Sequence, residues 1–330
     1  MTNWVGDTVM NTPFLARVRR QFPNARIVAL GRRSVMPLLD PHPDVDETWT
    51  IDDRSAAGRW EAVRRLRALR ADVGFALPNS LNSALLLALG GARVRVGYAR
   101  DARQWVLTHP VHLRSQDLAV HEVRYYLRLL SPWGMPVEEP PPLHLVVTDD
   151  EVARMREWLV GQGVAPGQAL IGVNPAAFYG TAKRWLPERF AEVARTLAER
   201  LDARVVVTGL PAERPVAQAV CDAGGTVFIN AAGEMNLRGL MAFLRLCRLY
   251  LTNDSGAMHL AAALGTPLVA VFGSTDWVTT APLSPRARIV RVETECAPCL
   301  LRDCPIDHRC MTGVTSAMAL AAAEELLHNA

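Results

Sequence analysis

Lysine is almost missing from this chain of 330 residues: of 36 basic residues only Lys183 is lysine, and the other 35 are arginine. A bias of that kind reflects coding composition, but it makes the surviving ammonium informative, because something at that position needs a compact, mobile positive charge. Long apolar runs are also absent. No stretch of about eighteen apolar residues is present to form a transmembrane helix, and Met1-Thr2-Asn3-Trp4 has no basic region followed by an apolar segment, so a cytoplasmic location is expected. Excess charge is lacking too: the net charge is +3, with arginines interspersed among acids rather than gathered in a block, and this indicates no nucleic-acid partner. What the chain does have is 50% hydrophobic residues over a length sufficient for two domains, each with its own core.

Short β-rich runs at 26–30, 47–51, 73–77 and 93–97 alternate with helical periodicity at 9–20, 59–69 and 81–89. In the first helix Met10, Phe14, Leu15 and Val18 share one face. Strands alternating with helices imply a parallel sheet covered by helices. Between Ser131 and Pro142 the composition shifts to Pro and Gly, including Pro132, Gly134, Pro136 and Pro140-Pro141-Pro142, which marks the start of an interdomain connection. The alternation then restarts with helices at 149–162, 187–201, 237–248 and 257–264 and strands at 169–173, 204–208, 249–252 and 267–272. The expected organisation is two Rossmann-like α/β domains, 1–148 and 149–330, with an Ala-rich final helix free to pack on either.

In open α/β sheets, ligands sit at the carboxyl ends of strands, where helix N-termini offer free N–H groups to anions. Thr252-Asn253-Asp254-Ser255-Gly256-Ala257-Met258-His259 has that character, a strand entering a small-residue turn and then a helix. Ser255 and Gly256 leave room for a diphosphate, Asp254 can accept from sugar hydroxyls, and His259 lies one turn inside the helix. The plainer reading is that Asn253 or Asp254 caps the helix and His259 is a core histidine. Lys183 follows another strand, in Ala182-Lys183-Arg184-Trp185, where its ammonium suits a diphosphate gaining charge as it leaves. Near the start, Asn3-Trp4-Val5-Gly6-Asp7 sets a carboxylate at a helix beginning, either as a general base or only as an N-cap.

These segments, with Leu77-Pro78-Asn79-Ser80, Ala232-Gly233-Glu234 and Gly265-Thr266-Pro267-Leu268-Val269-Ala270, resemble the lipopolysaccharide heptosyltransferases in order and over nearly the whole chain, and their spelling is more like heptosyltransferase II than I. The resemblance implies a B-type glycosyltransferase fold, an ADP-heptose donor, a heptose-bearing lipid A–core acceptor, inversion at the anomeric carbon and no cofactor for catalysis. Carried over, Asp7 is the base and Lys183 holds the diphosphate, while Asp254, Ser255, Gly256 and His259 meet the donor. Asn230 and Glu234 are assigned to the adenosine side, and Asn79, Ser80 and Ser83 to the acceptor. Such an acceptor implies work at the inner face of the cytoplasmic membrane. The helix at 59–70, with Trp60, Val63, Leu66 and Leu69 on one side and five arginines elsewhere, fits an anionic membrane surface or simply a solvated face over a core stripe.

Two features depart from the family pattern. Cys296, Cys299, Cys304 and Cys310 fall within fifteen residues, a spacing that suggests a structural zinc site, against free thiols or disulfides in an ordinary loop. The competing functions are a related transferase or epimerase using another nucleotide sugar, and a non-catalytic nucleotide-sugar binding protein, because fold alone does not fix chemistry. Family members also begin with an apolar strand, whereas only Met1 and Thr2 precede Asn3 here. In-frame codons upstream are therefore expected to encode a short Ile/Leu/Val-rich run, and a stop codon in their place would refute that expectation.

Overall fold

Pro13 divides the first helix. It cannot donate to the carbonyl four residues back, so the one helix expected over 9–20 is two: α1, Val5–Met10, and α2, Thr12–Gln21. The Thr12 hydroxyl donates to the Val9 carbonyl instead, at 2.8 Å. The expected apolar face survives the break, with Met10, Phe14, Leu15 and Val18 all buried. The computed structural model describes residues 1–114, 119–135 and 140–328, which divide into a first unit, Met1–Val146, and a second, Val147–Ala330.

In the first unit β1 (Val28–Gly31) and β2 (Glu47–Thr50) pair in parallel, and β3 (Val73–Ala76), β4 (Val94–Tyr98) and β5 (His109–Val111) form a second parallel sheet. The crossover helices are α3, Ala56–Leu69, capped by Ser55, and α4, Leu81–Leu89, capped by Ser80. A short α5, Glu122–Leu127, packs on α1 and α2. On α3 the buried stripe is Ala62, Val63 and Leu66, and Trp60, grouped with them by periodicity, is 55% exposed. At 100° per residue Trp60 falls roughly 110° from the centre of that stripe, too far round to reach the core. Of the proline-rich stretch, Ser131–Trp133 ends a 3-10 helix still within the first unit, and 136–139 lie outside the described residues. His144 remains tied to the first unit, its N–H donating to the Thr12 hydroxyl at 3.0 Å.

The second unit is one six-stranded parallel sheet ordered β11-β10-β9-β6-β7-β8, where β6 is Leu170–Asn174, β7 Arg204–Val207, β8 Phe228–Asn230, β9 Leu249–Asn253, β10 Leu268–Val271 and β11 Ala287–Val290. β6, β9 and β10 are buried throughout, as strands covered on both faces must be. Ile171, Val173, Val205, Val207, Leu249 and Leu251 pack with helices α7 (Pro187–Leu201) and α8 (Arg214–Gly224). The alternate residues face α9, Leu237–Leu246; a Cβ on Gly172 would come within 2.4 Å of Tyr250 and 3.0 Å of Phe243, so only glycine fits there. The remaining helices are α6 (Asp149–Gly161), α10 (Gly256–Ala263), two single turns α11 (Trp277–Thr280) and α12 (Arg309–Thr312), and α13 (Ser316–His328). The open choice for the last helix is resolved: α13 lies on α7, β10 and β11 of its own unit, where Ala319, Ala323 and Leu326 join the core and Glu325 pairs with Arg288 at 2.7 Å.

The first helix of this unit is pinned at its N-terminus. Thr148 and Glu151 form a reciprocal capping box, and Arg238 of α9 grips both oxygens of Glu151 at 2.6 and 2.5 Å. These hydrogen bonds, Arg238's first, lower the Glu151 carboxyl to about 2. The folded pKa lies below the unfolded value, so this stabilisation is complete above about pH 4.5 and fades as pH falls towards 2. Glu151→Gln should cost about 2–3 kcal/mol near neutral pH and flatten the acid limb of the stability curve in denaturant titrations.

Candidate active site

From β6 the sheet grows outward through β7 and β8; the chain then returns to place β9 beside β6 and grows the other way through β10 and β11. The loops after β6 and β9 therefore diverge to opposite faces and leave a crevice at the carboxyl ends of the strands. Lys183 sits in the first loop, in a 3-10 turn over Thr181–Lys183, and Asp254 directly follows β9. They meet across the crevice. The Lys183 Nζ donates to Asp254 Oδ2 at 2.7 Å, with the side chains 16% and 6% exposed. The Thr275 hydroxyl donates to the same oxygen at 2.6 Å. An ammonium has three donors, and the carboxylate uses one, so donors remain for an incoming anion. The Lys183 Nζ also lies 5.2 Å from the centroid of the Tyr179 ring, a cation–π contact.

The residues flanking Lys183 hold it in place. Ala182 and Trp185 are buried, and the Trp185 indole N–H donates to the Val314 carbonyl at 3.0 Å. Asn253 laces the two loops together: its Oδ1 accepts from the Trp185 N–H at 3.0 Å and its Nδ2 donates to the Pro175 carbonyl at 2.8 Å. Neither Asn253 nor Asp254 caps α10. That cap is Ser255, whose Oγ accepts from the Met258 N–H at 3.4 Å, with Gly256 opening the helix and His259 buried one turn inside it. Asn230 and Glu234 stand at the end of the edge strand β8. Glu234 pairs with Arg214 at 3.0 Å, about half exposed, and Asn230 donates to Gln218 at 2.8 Å. Sequence reasoning passed over Thr275, although Phe272-Gly273-Ser274-Thr275-Asp276 is again a small-residue turn after a strand, the signal used for 252–256.

The structure lends the expected zinc site no support. Among the described residues no group of three or more His, Cys, Asp or Glu is arranged to hold a metal ion. Cys296, Cys299, Cys304 and Cys310 are free thiols; Cys304 Sγ accepts from the His308 N–H at 3.3 Å and Cys310 is buried. Burial, then the other three cysteines, push the Cys310 thiol up. Their segment instead braces the Lys183 loop. The Arg302 carbonyl accepts from the Ala182 N–H at 2.9 Å, Asp303 accepts from the Thr181 hydroxyl at 2.6 Å, and the Tyr179 hydroxyl donates to the Leu300 carbonyl at 3.0 Å. A Cβ on Gly180 would come within 2.1 Å of the Arg302 carbonyl oxygen, so this close approach requires glycine.

In the first unit Asp7 lies inside the first turn of α1, with Trp4 at the N-cap, so it is not merely a cap. Asn79 donates to the Tyr125 hydroxyl at 2.6 Å and accepts from Arg103 at 2.8 Å. Ser80 caps α4, and the Ser83 hydroxyl donates to the Pro78 and Ser80 carbonyls at 2.9 and 2.7 Å. Arg103, wholly buried, also donates to the Pro78 carbonyl and to Tyr98. All three residues expected at the acceptor side therefore help to shape one turn at the end of β3. Sequence reasoning missed Glu122. It stands on α5, which packs on α1, and burial first, then the charge of Asp7, raise its carboxyl to about 7. Tyr126, one turn further along α5, is shifted upward by burial and then by Asp7 and Glu122, so three ionisable groups gather there.

Known proteins resemble this chain throughout. A family model described as glycosyltransferase family 9 (heptosyltransferase) matches residues 59–309. Lipooligosaccharide heptosyltransferase 2 of Haemophilus influenzae is 30% identical over 340 residues, covering 98% of this chain and 97% of that protein. Lipopolysaccharide heptosyltransferase 2 of Escherichia coli is 30% identical over 307 residues, covering 88% and 86%. The solved structure of E. coli ADP-heptose LPS heptosyltransferase II matches with a TM-score of 0.86 at 27% identity, covering 99% of this chain and 97% of that one. The architecture is that two-domain B-type fold.

Glu122 carries a measurable consequence. Its folded pKa is raised above the unfolded value, so the stability it permits is full below about pH 4.5 and is lost as pH rises through about 7. Glu122→Gln should remove that decline and leave the variant more stable than the parent at pH 8 by on the order of 2 kcal/mol, read from denaturant unfolding at several pH values.

Proposed function

This chain belongs to glycosyltransferase family 9, the heptosyltransferases, and from that premise we propose that it transfers heptose, with inversion, from ADP-L-glycero-D-manno-heptose to the heptose-bearing inner core of lipopolysaccharide, as a heptosyltransferase II. The observation that carries the site assignment is the Lys183–Asp254 pair at the switch point of the second sheet. The acceptor hydroxyl oxygen attacks the anomeric carbon as the bond to the β-phosphate oxygen breaks, and Asp7 takes the hydroxyl proton. ADP departs with added negative charge. Lys183, aimed by Asp254 and Thr275, neutralises that charge together with the amides opening α10, so these residues supply the electrostatic stabilisation at the leaving group.

Asp254, Ser255, Gly256 and His259 lie around the donor sugar and diphosphate, and Asn230 and Glu234 lie towards adenosine. The turn holding Asn79, Ser80 and Ser83 lies on the acceptor side. No helix among the described residues is long and apolar enough to cross a membrane. We place the enzyme in the cytoplasm, reaching its lipid-anchored acceptor as a peripheral protein at the inner face of the membrane.

Product mass after incubating ADP-heptose with a lipid A acceptor bearing one heptose tests the reaction. Asp7→Asn should keep donor affinity and lower turnover by about a hundredfold or more. Lys183→Ala should weaken ADP binding and lower turnover by on the order of 10²–10³. Unchanged turnover in Asp7→Asn would remove Asp7 as the base, whereas donor binding without any product from the parent would leave a non-catalytic nucleotide-sugar binder as the better description.

A further inference from the structure

Charge is unevenly spread along the chain. Residues 54–100 hold nine arginines and only two acids, Glu61 and Asp72, a net of +7, whereas the whole chain nets +3 and the remainder is therefore −4. A coding preference for arginine over lysine exchanges one cation for another; it does not remove acids from one segment. The fold gathers part of this charge on a single face of the first unit. Arg64, Arg67 and Arg70 are exposed along α3, and Arg93 is exposed just ahead of β4. Arg67, Arg70 and Arg93 line an open cleft of about 370 Å³ with Asp72, Gly90 and Gly91. Asp72 pairs with Arg93 at 3.3 Å, and Arg67 and Arg70 have no carboxylate partner among the described residues.

Beside these cations stand two large apolar side chains that the core does not use, Trp60 at 55% and Leu89 at 48% exposure. Arg67 links them: its guanidinium lies 5.6 Å from the centroid of the Trp60 ring, and its Nε donates to the Leu89 carbonyl at 2.8 Å. A tryptophan beside unpaired arginines suits the boundary of an anionic bilayer, where the indole enters the headgroup zone and each guanidinium meets a phosphate.

We propose that this face of the first unit, formed by Trp60, Arg64, Arg67, Arg70, Leu89 and Arg93, docks the protein on an anionic phospholipid bilayer. Its purpose rests on the transferase reading, since a lipid-anchored acceptor has to be met at a membrane, but the docking itself requires no turnover. Helix α3 follows the carboxyl end of β2, and the 78–83 turn of the proposed acceptor side follows the carboxyl end of β3 in the same unit.

Co-sedimentation of the full chain with phosphatidylcholine vesicles, with and without phosphatidylglycerol, tests the surface. Binding should require phosphatidylglycerol and weaken steeply between about 0.1 and 1 M salt, as the screening length falls from about 10 to about 3 Å. Reversing three charges in Arg67→Glu/Arg70→Glu/Arg93→Glu should lower vesicle affinity by about a hundredfold or more. Trp60→Ser, a milder change, should lower it several-fold with an unaltered melting curve. Transfer to a detergent-dispersed acceptor should be unchanged in both variants while transfer to a vesicle-embedded acceptor drops. Equal binding to both vesicle types, or parent-like sedimentation of the triple variant, would overturn the proposal. Failure to transfer heptose in every format, with vesicle binding intact, would instead count against the transferase reading alone.

Discussion

A salt bridge at the point where a parallel sheet reverses its order of growth is what the proposed chemistry depends on. The Lys183–Asp254 pair joins two loops that topology sends apart, and few residues can do that without filling the crevice they frame. Both side chains are largely removed from water, and such a pair holds only when the geometry is good and the remaining acceptor sites are satisfied. Thr275 supplies the extra hydrogen bond to the carboxylate, and Asn253 locks the backbone on either side. The ammonium is therefore held ready before any anion arrives, and little of the electrostatic gain is lost to reorganisation during the reaction.

The surrounding structure supports that arrangement from an unexpected side. The cysteine-bearing segment reads as a metal site in sequence, yet its backbone and acidic side chain bind the Lys183 loop from outside. Gly180 allows the two strands of chain to touch, and the buried indole of Trp185 fixes the other end of the loop. In the first unit a similar logic shapes the turn at 78–83. A buried arginine, Arg103, satisfies carbonyls and the Asn79 side chain, with burial drawing its pKa down. The cost of burying that guanidinium is offset by neutral oxygens that also define the turn.

Much of the fold was legible because its strands are short apolar runs and its helices carry clear 3.6-residue periodicity. Helices α4 and α7 have the limits expected for them, and nearly every other anticipated element lies within a few residues of its place. Apart from α8, an eleven-residue helix over Arg214–Gly224 that sequence reasoning passed over, most unread elements are short. β5, β8 and β11 are edge strands of three or four residues, and α5 and α11 are helices of six and four residues, too short to show a period. Trp60 was misplaced because a stripe read from spacing alone is wider than the stripe that touches a core.

The sequence by itself determined the alternation of strands and helices, the family to which the chain belongs, and the importance of its single lysine, because each is written in local order and residue type. It also marked the small-residue turn at 252–256. Only the tertiary structure decided which groups meet. Lys183 reaches a carboxylate 71 positions away, Asp7 shares its neighbourhood with Glu122 from α5, and the segment that carries the cysteines braces the Lys183 loop through Leu300, Arg302 and Asp303. The physical reason is that contacts across a parallel sheet are set by strand order and helix crossovers, which no local pattern records, whereas propensity and periodicity act within a few residues.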